Sequence, residues 1–368
     1  MQSSFSRPAA GRRSLLTIFA VVALIAAACG DGETDTAAAP ATAESSSSSS
    51  SEASATDESS SSEESPDPSV DGEAGAPADE IDNCGVTVTA GEFDRVVTMN
   101  QGATEIALAL GFGDRMIGTA YLDDAILPEL AAGYEAVPVV SDEYPSTEAL
   151  FELEPDFVYG SYSSAFGEEA AGERGELADL GVGSYLSPAA CADFKESGEP
   201  VTFDVVFDEF VEFATAMGDP AAGEQLVAEQ QALLDESFSG DFESVTVFWW
   251  DGGLDAPFTG VCCGAPGMIM DAVGVTNAFG DVDGAWTEVT WESVIDADPD
   301  VIVLIDASWD PAADKRAHLE NDPALADLTA VQEERYVVVP FSSSTPGVRN
   351  AAVVGEIASV IQELDLAG

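Results

Sequence analysis

Between residues 95 and 340 the chain alternates short apolar runs with longer stretches of helical period. Residues 95–99, 116–120, 136–140 and 157–159 are apolar runs bounded by Gly, Pro or Asp, the pattern of parallel strands buried between helices. Residues 102–110 open on Gly102-Ala103-Thr104-Glu105 and stop at Gly111, which predicts an apolar helix. From 203 to 217 and from 220 to 238 the period is helical, with Leu226, Val227, Leu233 and Leu234 on one face. The strand pattern then restarts: 245–250, 301–305 and 336–339 read as strands, and 268–273 and 351–364 as helices. An α/β fold follows, with two lobes of mostly parallel sheet joined by a long helical linker.

The N-terminal region lacks this alternation. Arg7, Arg12 and Arg13 precede an apolar run over 15–28 that is short for a membrane span, and Ala26-Ala27-Ala28-Cys29-Gly30 follows. This resembles a bacterial lipoprotein signal, which implies removal of 1–28 and acylation of Cys29, holding the protein by lipid on the extracytoplasmic face of the cell membrane. From 30 to 82 the chain has no Lys, Arg or aromatic residue and runs through serines at 45–51, so 29–82 is expected to be a disordered acidic tether. A flexible coil of that length reaches about 40 Å, and like charges extend it. The expected domains are then a first lobe over 83–201, connecting helices over 202–240 and a second lobe over 241–368.

Charge narrows the partners. The chain has 69 acidic and 11 basic side chains, a net charge of −58, and residues 83–368 alone hold −46. Phosphate backbones are repelled, so nucleic acid is excluded as the main partner, and an anionic ligand needs a local arginine. Cys84 and Cys191 are predicted to form a disulfide fastening the start of the ectodomain to the end of its first lobe, in a compartment where such bonds persist. Cys262 and Cys263 are adjacent; they could close a rigid ring, remain two thiols, or one could pair elsewhere. With His318 the chain's one histidine and no paired-cysteine spacing, no metal site made of protein ligands is expected; His318 itself reads as a surface residue.

One block occurs twice. Glu148-Ala149-Leu150-Phe151-Glu152-Leu153-Glu154-Pro155-Asp156-Phe157-Val158 is matched by Glu292-Ser293-Val294-Ile295-Asp296-Ala297-Asp298-Pro299-Asp300-Val301-Ile302. Each copy reads as a helix with Glu in its first turn, where the helix dipole favours a carboxylate, ending at Pro-Asp before a buried strand.

These blocks, with Arg95-Val96-Val97-Thr98-Met99, Thr104-Glu105-Ile106 and Gly113-Asp114-Arg115-Met116-Ile117-Gly118 ahead of them, resemble the substrate-binding proteins of ABC importers for ferric siderophores, haem and cobalamin, over about 94–366. The resemblance implies two Rossmann-like lobes joined by a single long helix with the ligand in the cleft between them. It implies no enzymatic activity and no resident cofactor, the bound molecule being a transported ferric chelate or corrinoid. It implies a monomer that serves a permease dimer and its ATPase, with Glu148 and Glu292 as the carboxylates that dock onto permease arginines. Residues 310–350, with Val338-Val339-Pro340-Phe341 and Gly347-Val348-Arg349-Asn350, are also similar to an actinobacterial branch assigned to import of a deazaflavin precursor.

In such lobes the loops after strand ends line the crevice. That places Tyr121, Ser161 and Tyr162 at the ligand, with Trp286 six residues before Glu292, Phe258 and Thr259 after the strand ending at Trp250, Ser343 in the loop after Pro340, and Arg349 at the start of the last helix. Aromatic faces suit a chelate or a conjugated ring, and Arg349 could answer a carboxylate or phosphate. Trp249 and Trp250, inside a strand, read as core. One candidate cation is too few for a polyanionic catecholate, so a neutral or hydroxamate-type chelate or a corrinoid fits better. Enzymes share this lobe pair, but the chain has no Ser-His-Asp set, phosphate loop or dinucleotide fingerprint. A stalked sensor or adhesin is the third class; it would need the anchor but not both glutamates.

Overall fold

The computed structural model describes residues 80–237 and 242–366; the signal, Cys29 and the expected tether up to 79 lie outside them. The tether boundary expected at 82 falls inside a strand. β1 (Glu80–Asn83) pairs antiparallel with β2 (Val86–Thr89). Cys84 and Gly85 turn between them, both with positive φ (55° and 74°), as a two-residue hairpin turn requires. Cys84 is joined to Cys191, with 5.3 Å between their Cα atoms.

The first lobe is a parallel sheet of β3 (Val96–Met99), β4 (Met116–Ala120), β5 (Val139–Ser141), β6 (Phe157–Gly160) and β7 (Gly183–Leu186), in the order β5-β4-β3-β6-β7. Helices α1 (Gln101–Ala109), α2 (Ala131–Tyr134), α3 (Thr147–Glu152), α4 (Arg174–Asp179) and α5 (Ala192–Ser197) lie between or after these strands. All four side chains of β3 are buried, as expected of a strand covered on both faces.

The linker is two helices rather than one: α6 (Phe203–Ala216) and α7 (Pro220–Glu236). The break has a local cause. Gly218 adopts φ +80°, the Asp219 carboxylate accepts from the Ala222 N–H at 3.3 Å, and Pro220, which lacks an N–H, opens α7 where none is needed. The two helices then pack closely enough that a Cβ on Gly223 would lie 2.7 Å from the Val211 Cα.

The second lobe holds β8 (Thr246–Gly252), β9 (Phe258–Gly260), β10 (Thr276–Asn277), β11 (Trp286–Glu288), β12 (Val301–Asp306) and β13 (Tyr336–Pro340). Its order is β11-β9-β8-β12-β13, with β10 also pairing β8; β12 runs parallel to β8 and β13, while β9 is antiparallel to β8 and β11. The helices are α8 (Ala265–Val273), α9 (Trp291–Ala297), α10 (Ala312–Asn321), α11 (Thr329–Gln332) and α12 (Asn350–Glu363). Trp249 and Trp250 are fully buried on opposite faces of β8, in separate apolar clusters. His318 is not a surface residue: it is half-buried, its ring 5.4 Å from that of Trp291.

The duplicated block is duplicated in structure. Leu150 and Val294 are the buried positions of α3 and α9. Glu154 (φ 49°) and Asp298 (φ 38°) both turn left-handed just before proline, a neighbour that disfavours the right-handed helical region. The Asp156 carboxylate accepts from the backbone N–H groups of Asp94 and Arg95 (3.0 and 2.9 Å), and that of Asp300 from Thr246 (2.9 Å), so each aspartate ties the start of its neighbouring strand.

Candidate ligand-binding cleft

Where the two lobes face each other a cavity of about 720 Å³ opens, within the range of small-molecule sites. Ser161 and Tyr162 reach it from the end of β6, and Ser187, Ala189 and Ala190 from the end of β7. Phe194 and Lys195 of α5 and Val201 complete the first lobe's side. The second lobe supplies Cys263, Gly264 and Ala265 at the entry to α8, the segment from Asp283 to Trp286, and Thr345 with Pro346.

Direct contacts fix the segments around the cavity. Ser161 Oγ accepts from the Ala103 N–H at 2.8 Å, orienting the first turn of α1. A Cβ on Gly102 would lie 3.0 Å from Ser161 Oγ and 3.2 Å from the Pro346 carbonyl, so the absent side chain lets the lobes approach. The Ser342 N–H donates to Asp124 Oδ2 at 2.7 Å, and Val201 N–H to the Cys263 carbonyl at 3.0 Å.

Among the described residues lining the cavity, Lys195 is the one cation, set against Glu199 and Asp283. Burial lifts the Asp251 carboxyl to about 6, opposed by Lys315 and by the Trp286 indole. Burial and neighbouring Asp124 lift Asp123 to about 6. Tyr162 stands near both acids, and burial first, then the Asp123 charge, holds its phenol well above the usual range. Behind the wall, Tyr159 and Ser187 hydroxyls donate to Glu209 at 2.6 and 2.9 Å; burial nonetheless raises that carboxyl to about 7.

Of the residues expected at the ligand, Ser161, Tyr162 and Trp286 line this cavity, and the rest stand elsewhere. Tyr121 stacks on Tyr144 with ring centroids 4.6 Å apart. Phe258 is exposed on β9. Thr259 is wholly buried because β9 folds back along β8, where its hydroxyl donates to the Trp249 carbonyl at 2.6 Å. Ser343 is buried, its carbonyl accepting from the Asn350 side chain at 3.0 Å. Arg349 does not offer a free charge: it is buried in a double contact with Glu105, at 2.7 and 2.6 Å, and also donates to the Ala125 carbonyl.

Sequence reasoning missed Phe194, Lys195, Val201, Asp283 and Thr345. Lys195 carried a usable signal, since it is one of two lysines, and the other, Lys315, is wholly buried on the Ile305 and Asp310 carbonyls. The adjacent cysteines are joined to each other. Glu148 and Glu292 both lie exposed in the first turns of α3 and α9. Among the described residues, no group of three or more His, Cys, Asp or Glu side chains is arranged to hold a metal, and no helix is long and apolar enough to cross a membrane.

Two α/β lobes enclosing a cavity walled by strand-end loops define a two-lobed binding protein for a small molecule. The profile of the periplasmic binding protein family matches residues 96–342, and the chain belongs to that family. It is similar, at 26% identity over 77% of its length and 84% of the relative's, to the uncharacterized ABC transporter substrate-binding lipoprotein YvrC of Bacillus subtilis (strain 168). A periplasmic binding protein of Veillonella parvula superposes with a TM-score of 0.66 at 26% identity, covering 78% of this chain and 98% of that one. An ABC-type Fe3+-hydroxamate transport system protein of Saccharomonospora viridis gives 0.61 at 24% identity, covering 77% and 98%.

Proposed function

We propose that this protein is the lipid-anchored, extracytoplasmic binding component of an ABC importer, capturing a metal chelate of the ferric-hydroxamate or cobalamin type and delivering it to a permease dimer driven by its ATPase. The observation that carries the reading is the cavity between the lobes, with Tyr162, Phe194 and Trp286 on walls from both sides. Such faces match the flat or ring-bearing surface of a chelate. One lysine against two acids disfavours a polyanionic catecholate and suits a neutral or cationic ligand. The lipoprotein relative supports an anchor at Cys29, and the duplicated exposed glutamates support docking at two equivalent points.

The test is tryptophan fluorescence of the protein titrated with a ferric trihydroxamate, haem and cyanocobalamin. Saturable quenching by the hydroxamate or the corrinoid, weakened at least about tenfold by Tyr162→Ala, is expected. No saturable response to any of the three overturns the metal-chelate assignment.

A further inference from the structure

The Cys262–Cys263 bond serves a purpose different from that of Cys84–Cys191. The latter closes 107 residues of chain and restricts the unfolded state accordingly. A bond between adjacent residues closes no such loop, so its effect is confined to the peptide it contains. Cys263, at one end of that peptide, lines the cavity. Val261, Cys262 and Cys263 N–H groups donate to the carbonyls of Ala285, Val282 and Gly284 at 3.0, 3.5 and 3.0 Å, zipping the ring to the segment that ends in Trp286. The Cys263 carbonyl accepts from Val201, whose chain enters the linker helices. Packing leaves no slack: a Cβ on Gly267 would collide with the Cys262 carbonyl, and one on Gly264 would lie 2.9 Å from Ala285 Cβ. Both ring cysteines are partly exposed, as is Cys84, whereas Cys191 is buried. Cys262 Sγ also lies 3.6 Å from the Gly284 carbonyl, an acceptor for the thiol that opening would create.

We propose that the Cys262–Cys263 ring is a thiol-exchange site built into the wall of the ligand cavity, its closed form holding the wall in its binding shape and its opened form binding ligand less tightly. This rests on the cavity being the ligand site. The co-reactant is a small thiol or dithiol from the surroundings. Its thiolate attacks one ring sulfur, the S–S bond breaks, and the neighbouring cysteine leaves with the electron pair and takes a proton. A second thiolate then attacks the reductant's sulfur in the mixed disulfide, releasing the other cysteine, which is protonated in turn. Two electrons and two protons enter the protein, and the reductant departs as its disulfide.

The experiment treats the whole protein with increasing dithiothreitol, maps the opened bonds by alkylation, and follows both amide hydrogen exchange and binding of a gallium trihydroxamate, which thiols do not reduce. Ring opening before Cys84–Cys191, exchange at Val201 and Cys263 faster by about tenfold, and affinity lower by about fivefold, reversed on reoxidation, are expected. The Cys262→Ser/Cys263→Ser double variant should match the opened state and stop responding to the reductant, although Cys84–Cys191 remains. An alkylated ring with unchanged exchange and affinity overturns the proposal. A chelate that Tyr162→Ala abolishes but ring opening leaves untouched overturns it too, and leaves the proposed function standing. Should the gallium chelate not bind, the failure belongs to the function, and exchange alone decides: faster amides at Val201 and Cys263 uphold the wall's dependence on the ring, and unchanged ones overturn it.

Discussion

Glu105 in α1 of the first lobe and Arg349 at the start of α12 in the second form a buried double contact across 244 positions of chain, at 2.7 and 2.6 Å. Glu105 Oε1 also accepts from the Leu127 N–H at 3.0 Å and from the Gln101 side chain at 2.9 Å, so both charges are fully enclosed by partners. Removing one partner leaves the other charged and desolvated. Arg349→Ala and Glu105→Ala are each expected to cost about 3–5 kcal/mol in urea unfolding, with Glu105→Leu/Arg349→Met recovering most of it. Single variants within about 1 kcal/mol of the parent would mean the pair contributes no more than a surface one.

Three buried or partly buried carboxyls make stability depend on pH. Burial raises Glu209 from 4.5 to about 7, and raises Asp123 and Asp251 from 3.8 to about 6. In each case the folded chain holds a proton that the unfolded chain releases at lower pH. Their protonated forms favour the fold fully below the unfolded values, and that contribution is lost as pH rises through the folded ones. Thermal unfolding should therefore show stability from these groups falling between about pH 4 and 7. Glu209→Gln, neutral throughout, should unfold at a higher temperature than the parent at pH 8 and flatten the upper part of that slope. An unchanged slope in the variant would remove Glu209 as its source.

The repeated aspartates predict a graded pair of effects. Asp156 accepts two backbone N–H groups and Asp300 one. These are charge-assisted but partly solvated bonds, so Asp156→Ala should cost about 2 kcal/mol and Asp300→Ala about 1 kcal/mol. Denaturant unfolding of the two variants checks the order; a larger loss from Asp300→Ala would contradict it.

Buried parallel strands write themselves into a sequence as continuous apolar runs, which is why β3, β4, β6, β8 and β12 were legible; β13, half-exposed at the sheet edge, was legible from its run of valines, and the Pro-Asp blocks disclosed the duplication. β9 and β11 were not. Each is three residues long with a Thr at its centre, too short to show a period, and only their antiparallel pairing reveals why Thr259 is core. Arg349 read as a candidate for an anionic ligand because its partner is remote in sequence. Ser161 and Tyr162 were found because their place after a legible strand predicts them, and Trp286 because it lies six residues before the second copy of the repeated block. Phe194 and Val201 follow Cys191 at no strand end, and reach the cavity through the path of α5 and the segment after it.

Glu148 and Glu292 hold the same place in the two copies of the duplicated unit, exposed in the first turns of α3 and α9. Those helices are capped without them: Ser146 accepts from the Ala149 N–H, and Thr290 and Ser293 form a reciprocal pair. Neither carboxylate is needed to satisfy a helix end, which leaves both available for the permease docking proposed above. Charge pairs of that kind chiefly orient the encounter and speed it. Glu148→Ala/Glu292→Ala should leave ligand affinity and unfolding temperature unchanged while lowering uptake through the cognate permease by at least about tenfold, each single variant falling between. Lysine at both positions should reduce uptake further, by repelling the same arginines. Uptake measured in proteoliposomes with saturating ligand separates the two steps, and transport at the parental rate by the double alanine variant would remove these glutamates from the docking surface.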